Sequence, residues 1–301
     1  MAGTELRRMN APARITPAPV ADCERIGRLA VRSLYREVAL APKPGLVSPV
    51  DNGSHDDMDM STFFRSLFAL RHYFRDIARA GADGAGFATL QSLGLAAEAQ
   101  MLAATGGINT HRGAIFNLGL LCAAAGRVAA PSGTADAAHV ARTVATCWGA
   151  DIVAARPADG TPHADSHGLR VARRHGTVGA REQAAAGFPD VIDAALPALR
   201  AVLAAPGDDR QNRAAVQALF VLIARLDDSN LLWRGGRIGL DYAQGTARSF
   251  IAAGGVFADD WAAQAQATHE AFVARRLSPG GAADLLAVTL FLHELEGATC
   301  G

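Results

Sequence analysis

The 301 residues lack most of the features that make a function easy to read. There is no charge bias: 29 Lys and Arg balance 29 Asp and Glu. That speaks against a broad electrostatic surface for nucleic acid, though not against a local basic pocket. Aromatics are only 6% of the chain and β-branched runs are scarce. Alanine, the best helix former, fills much of the apolar half, so composition favours helices. Cys23, Cys122, Cys147 and Cys300 show no CxxC spacing. They read as reduced thiols of a cytoplasmic protein, mostly small core fillers. No apolar run approaches the roughly 20 residues needed to span a bilayer, and the N-terminus lacks a signal-peptide core. Walker A, GxGxxG, HExxH and GxSxG are all missing, which leaves P-loop, Rossmann, zincin and serine-hydrolase readings unsupported.

What is present is helical periodicity interrupted by polar loops. Residues 1–20, rich in Ala, Pro and Arg, read as a flexible leader; residues 21–301 read as one all-α domain with several helices. Helices are expected at about 22–39, from Ser61 through Phe74, from Gly86 to Thr105, from Gly113 to Ala125 and at about 135–155. Further ones are expected at 180–186, 189–203 (kinked at Pro197), 209–226, 239–253, 259–276 and 281–296. No convincing strand pair emerges. Residues 156–179 are irregular and polar, with room for a short helix through Val171, and the stretch 41–60 has no usable apolar period. Long loops of this kind inside a compact domain are often functional.

The stretch TGGINTHRGA, Thr105 to Ala114, is the least like packing material. Gly106 and Gly107 can end one helix, because glycine takes positive φ without steric cost. The next helix then offers free N–H groups to an anion, helped by Arg112 and the helix dipole. Taken alone, a polar hairpin facing water is an equal reading. Lys43, between two prolines, is a pre-organised cation for phosphate or an exposed turn lysine. His55, Asp56, Asp57 and Asp59 are a site for a hard cation such as Mg²⁺ or acids favoured by the dipole of the helix that follows. Asp227 and Asp228 fall near the end of an apolar helical pattern, where the dipole disfavours carboxylates. That suggests a compensating cation, either a metal or one of Arg234 and Arg237. Glu98 and Glu182 are single helical glutamates, normally solvated. Ser278 to Asp284, SPGGAAD, is either a second cradle of N–H groups or a tight turn with Asp284 supporting the first helical turn. His167, Arg173, Arg174 and His175 form a basic cluster that suits a phosphate or a solvated face equally. Together these motifs suggest polyphosphate and Mg²⁺ binding.

Five of the stretches, in order, resemble the triphosphoribosyl-dephospho-CoA synthase family: EVALAPKPGLVSPVDNGSHDDMDM, TGGINTHRGAIFNLGLL, GAREQAAAGFPDVIDAALPAL, LDDSNLLWRGG and SPGGAADLLAVTLFL. They span about Glu37 to Leu292. The stretch SHGLRVARRHGTVGAREQ looks more like the malonate-decarboxylase branch than the citrate-lyase branch. The resemblance implies an all-helical enzyme that displaces adenine from ATP. It joins the 5-triphosphoribosyl group to the 2′-hydroxyl of 3′-dephospho-CoA, giving the precursor of a prosthetic group for an acyl-carrier subunit. Under that reading Asp56, Asp57, Asp227 and Asp228 serve Mg²⁺ or the oxocarbenium-like ribose. Lys43, His111, Arg112 and Arg234 meet the triphosphate, with Asn109 and Thr110 as hydrogen-bonding partners. Glu182 is the candidate general base. LDDSN departs from the LxDTN type of the family, which leaves Asp227 a bystander candidate. No nucleic acid or membrane partner is expected, and a homodimer is one option for the oligomeric state. The alternatives are a Mg²⁺-dependent helical hydrolase of nucleotides or ADP-ribosyl bonds, and a non-catalytic helical adaptor.

Overall fold

A computed structural model describes residues 20–128, 136–155 and 179–297. Among them there is no β-strand, and the helices pack around one continuous apolar core. The leader, most of the loop expected after Gly126, and the polar stretch 156–178 with its basic cluster lie outside the described residues.

In chain order the helices are α1 (Val20–Val38), α2 (Met60–Leu70), α3 (Tyr73–Ala82), α4 (Phe87–Thr105), α5 (Arg112–Arg127) and α6 (Ala137–Ala154). Then come α7 (Ala180–Ala185), a π-helical turn (Val191–Ala195) running into α8 (Leu196–Ala204), α9 (Arg210–Arg225), α10 (Ser229–Ala252), α11 (Trp261–Ala274) and α12 (Gly280–Gly297). The interior is built on α5, α9 and α12, whose apolar side chains are buried on nearly every face. A helix buried all round must be apolar all round, and all three are rich in Ala and Leu. α1, α3 and α4 wrap α5 on one side. The closest approach is α3 against α5: a Cβ on Gly81 would lie 2.0 Å from the Ala123 carbonyl oxygen, and one on Gly126 would lie 2.0 Å from that of Ala78. Glycine at both points lets the two backbones touch.

Helix ends follow local chemistry, with some departures from expectation. Asp59, not Ser61, caps α2: its Oδ1 accepts the Thr62 N–H at 2.9 Å. The single helix expected from Ser61 through Phe74 is two, α2 and α3, separated at Arg71 and His72. Gly106 closes α4 in the left-handed region (φ 70°), as its position implied. Asp136 caps α6 through the Ala138 N–H. Pro197 has no N–H to give the preceding turn, and the wider π turn at Val191–Ala195 accommodates it. The largest departure is α10. It begins at Ser229 and is interrupted by a non-helical Gly236 (φ 60°, ψ −160°), so the residues from Ser229 up to that break are helical rather than loop.

Candidate active site

Two helix starts, those of α5 and α12, converge with the 41–59 loop. The loop is fastened to the α11–α12 junction. Ser54 donates its hydroxyl to the Leu277 carbonyl at 2.6 Å, and Arg234 donates to the Ser54 carbonyl at 2.9 Å. His55 Nε2 lies 2.8 Å from Ser278 Oγ, and His55 Nδ1 lies 3.2 Å from Arg234 Nη2. Arginine can only donate, so His55 Nδ1 accepts and its Nε2–H donates to Ser278. Burial, helped by the Arg234 charge, holds this imidazole neutral, with its pKa lowered to about 4.

Lys43 is not an exposed turn lysine. It is 2% exposed, and its Nζ donates to Glu37 Oε1 at 2.8 Å and to the Glu37 carbonyl at 2.9 Å. Its charge reaches both His55 and His111, disfavouring the protonated form of each. The stiff segment thus delivers an ammonium to the interior.

Asp228 corrects the helix-end argument. It stands not at the C-terminus of α9 but as N-cap of α10, where the dipole favours a carboxylate. Its Oδ1 accepts the N–H groups of Asn230 (2.8 Å) and Leu231 (3.3 Å), and its Oδ2 accepts that of Ala282 (2.9 Å). One buried carboxylate therefore ties the starts of α10 and α12 together. Burial pushes its pKa up, and these backbone donors oppose the shift. The SPGG turn makes this approach feasible: a Cβ on Gly281 would meet Asp228 Oδ2 at 3.0 Å, and one on Gly280 would meet the Asn230 amide at 2.4 Å.

Asp284 faces the start of α5. A Cβ at Gly113 would sit 2.0 Å from its Oδ2, so only glycine admits the carboxylate there. Burial pushes Asp284 well above the ordinary carboxylate range; the nearby Glu37 and Asp228 charges add to this, and the Ala114 N–H opposes it. Glu37 and Asp228 thus lie close enough to Asp284 for their charges to act on it, and the buried Lys43 ammonium pairs with Glu37. Glu37 had no predicted role, and Asp284 only that of an acid supporting a first helical turn. For Asp284 the signal is Gly113 opposite it.

In the TGGINTHRGA hairpin, His111 is the N-cap of α5 and 2% exposed. Its Nδ1 lies 2.6 Å from Ser66 Oγ, and Phe63 meets its ring edge-on. Its Nε2 and the Thr110 hydroxyl are buried without a partner among the described residues. Burial, then Lys43, lowers the His111 pKa to about 3, so the ring is neutral. Asn109 Oδ1 accepts the Arg112 N–H at 3.1 Å, and the Arg112 guanidinium pairs with Glu98.

The structure therefore brings Lys43 within electrostatic range of His111 and His55, with Arg234 beside His55, and Asp228 within range of Asp284. The other predicted residues sit apart. Asp56 is exposed and 3.3 Å from Arg276; Asp57 is exposed and 3.7 Å from His55. Both contribute to the field at Arg234. Asp227 is half-buried beside the cap. Glu182 Oε2 accepts the Gly179 N–H at 2.9 Å at the start of α7. Among the described residues, no three His, Cys, Asp or Glu side chains form a ready metal cage. No helix there is long and apolar enough to cross a membrane.

A family model described as ATP:dephospho-CoA triphosphoribosyl transferase matches residues 23–300. A probable 2-(5″-triphosphoribosyl)-3′-dephosphocoenzyme-A synthase of Acinetobacter calcoaceticus is 41% identical over 272 residues, covering 90% of this chain and 91% of that protein. One from Stutzerimonas stutzeri, also named probable, is 42% identical over 281 residues, covering 91% and 93%. A 2-(5″-triphosphoribosyl)-3′-dephosphocoenzyme-A synthase of Klebsiella pneumoniae is 38% identical over 290 residues, covering 93% and 94%. No solved structure gives a significant match.

Proposed function

Because the chain belongs to the ATP:dephospho-CoA triphosphoribosyl transferase family, we propose that the Lys43–Glu37–Asp228–Asp284 cluster marks where it acts on ATP. There the C1′–N9 bond of ATP breaks, adenine leaves, and C1′ joins the 2′-hydroxyl of 3′-dephospho-CoA. The observation that carries this assignment is the convergence of three carboxylates and one ammonium on the two glycine-lined helix starts.

Asp284, raised well above the usual carboxylate range, holds a proton that adenine can take as the bond breaks. Asp228, fixed by backbone N–H groups, faces the positive charge that builds on the ribose. Once adenine has gone, the Asp284 carboxylate takes the proton of the 2′-hydroxyl as the new C1′–O bond forms. The proton count is then restored. Asp284 takes this acid–base role rather than Glu182, whose carboxylate is held by Gly179. Lys43, the free His111 Nε2 and the start of α5 receive the triphosphate, with Asn109, Thr110 and Arg112 on the hairpin and Arg234 at the loop edge. The triphosphate stays with the transferred ribose, so these groups hold the donor in place rather than assist a leaving group.

Mg²⁺ fits the donor set. Even with Asp284 holding its proton, the Glu37 and Asp228 carboxylates against one ammonium leave the cluster negative before a triphosphate arrives, and one or two carboxylates with phosphates and water suffice for this ion. Asp228 would hold it, with phosphate and water oxygens as the further donors, and it would supply countercharge to the triphosphate. The Ser166–Gln183 stretch supports the malonate-decarboxylase branch, with the product passed on to modify an acyl-carrier subunit in the cytoplasm.

Free adenine released from ATP by the purified protein with Mg²⁺, with and without 3′-dephospho-CoA, tests the reading. Release that needs the acceptor, with a matching mass gain on dephospho-CoA, is expected. Acceptor-independent release would instead mean hydrolysis, and no release from folded protein would sink the enzyme reading.

A further inference from the structure

His269, on α11, is 5% exposed and bridges two segments of the 41–59 loop. Its Nδ1 lies 2.9 Å from the Lys43 carbonyl oxygen, and its Nε2 lies 2.9 Å from Asp51 Oδ2. A backbone carbonyl only accepts, and so does an ionised carboxylate. A neutral imidazole carries one N–H and can satisfy only one of them. Both bonds form when the His269–Asp51 pair holds one proton more than a neutral ring beside an ionised carboxylate. The other contacts leave that count unchanged, since Asp51 Oδ1 accepts the Gly53 N–H at 2.8 Å. The Lys43 side chain leaves the opposite way, toward Glu37.

We infer that His269 is a positioning residue that, with both ring nitrogens protonated, clamps the Lys43 carbonyl to Asp51 and so fixes where the Lys43 ammonium stands. Its consequence for catalysis rests on the reading that Lys43 receives the triphosphate. The clamp itself does not. The Lys43 backbone is gripped from outside by α11 while its side chain is gripped from inside by α1, and losing either grip lets the ammonium wander. A hydrogen bond to a charged group, once removed, should raise the KM for ATP about tenfold and leave kcat nearly unchanged.

The test has two arms. In long-range ¹H–¹⁵N spectra of histidine-labelled full-length protein, assigned by the signal lost in His269→Leu, both ring nitrogens of His269 should carry protons. In Asp51→Asn, whose amide can donate to Nε2, the ring should revert to the neutral form protonated at Nδ1. A neutral ring in the unaltered protein, or a doubly protonated one in Asp51→Asn, overturns the clamp. In adenine-release assays His269→Leu should raise KM for ATP, and His269→Asn, whose amide mimics Nδ1–H, should restore most of it. Equal loss in both variants, or a fall in kcat alone, overturns the positioning role. An unchanged KM for ATP in Lys43→Met would overturn the triphosphate reading while leaving the spectroscopic result standing.

Discussion

At the residue scale the site depends on side chains that are absent as much as on those present. Gly113 sits where any Cβ would fall 2.0 Å from Asp284 Oδ2. Gly113→Ala therefore displaces the carboxylate assigned to move the proton, while helix α5 itself would welcome alanine. Loss of general acid–base catalysis is worth roughly 10²- to 10⁴-fold. We expect Gly113→Ala to lower kcat for adenine release within that range with an unchanged far-ultraviolet circular dichroism spectrum. Near-normal turnover would remove Asp284 from the mechanism. Lys43, His111, Asp228 and Arg234 were legible in the sequence because each stands in a polar, glycine- or proline-bracketed stretch. Glu37 and Asp284 were not. Glu37 is a lone acid in the last turn of α1, where nothing in the pattern marks it, and Asp284 is a lone acid in an early helical turn, normally explained by the dipole. Only the pairing of Gly113 with Asp284, separated by 171 positions in the chain, gives Asp284 away, and a one-dimensional pattern does not contain it.

At the element scale the chain spelled out its helices wherever an apolar stripe ran between clear stops. The α4–α5 hairpin is the clearest case, since Gly106 takes the left-handed conformation its position implied. Reading failed at α10. There the apolar period of Leu231 and Leu232 is too short to register before Arg234, Gly235 and Gly236 interrupt it, so Asp228 looked like the end of one helix rather than the cap of the next. Gly236 resolves the conflict: at φ 60° and ψ −160° it breaks the helix without ending it. That conformation is essentially restricted to glycine, and nothing lies within 4 Å of the site an added Cβ would take. The penalty of Gly236→Ala is therefore backbone strain alone, about 1–3 kcal/mol. Urea denaturation should show a loss of that size, together with weaker ATP binding as Arg234 loses its aim at Ser54. A stabilised protein would mean that the helix simply heals, and that the break does not set the position of Arg234.

At the scale of the whole molecule the fold closes by burying neutral histidines against cations. His55 joins the 41–59 loop to the α11–α12 junction, and His111 joins α2 to α5. Burial lowers their pKa values from 6.5 to about 4 and about 3 respectively. Between those limits the unfolded chain binds more protons than the native one, so stability rises with pH. Each histidine's contribution is complete above 6.5 and is lost as pH falls through its folded value. Asp228 and Asp284 act in the opposite sense. Their raised pKa values let the native state take up protons first, so their contribution grows as pH falls toward the carboxylate range. The total slope mixes both, and a difference between two proteins isolates one histidine. Between pH 7 and pH 4.5 His55 takes up its proton in the unfolded chain while the folded ring stays mostly neutral, a difference worth on the order of 3 kcal/mol. His55→Gln keeps a donor toward Ser278 and carries no titrating ring. Its unfolding free energy should therefore fall less than the wild-type value over that interval, by about that amount. Equal losses in the two proteins would show that His55 is free to charge in the fold, and that Arg234 and burial do not hold it neutral.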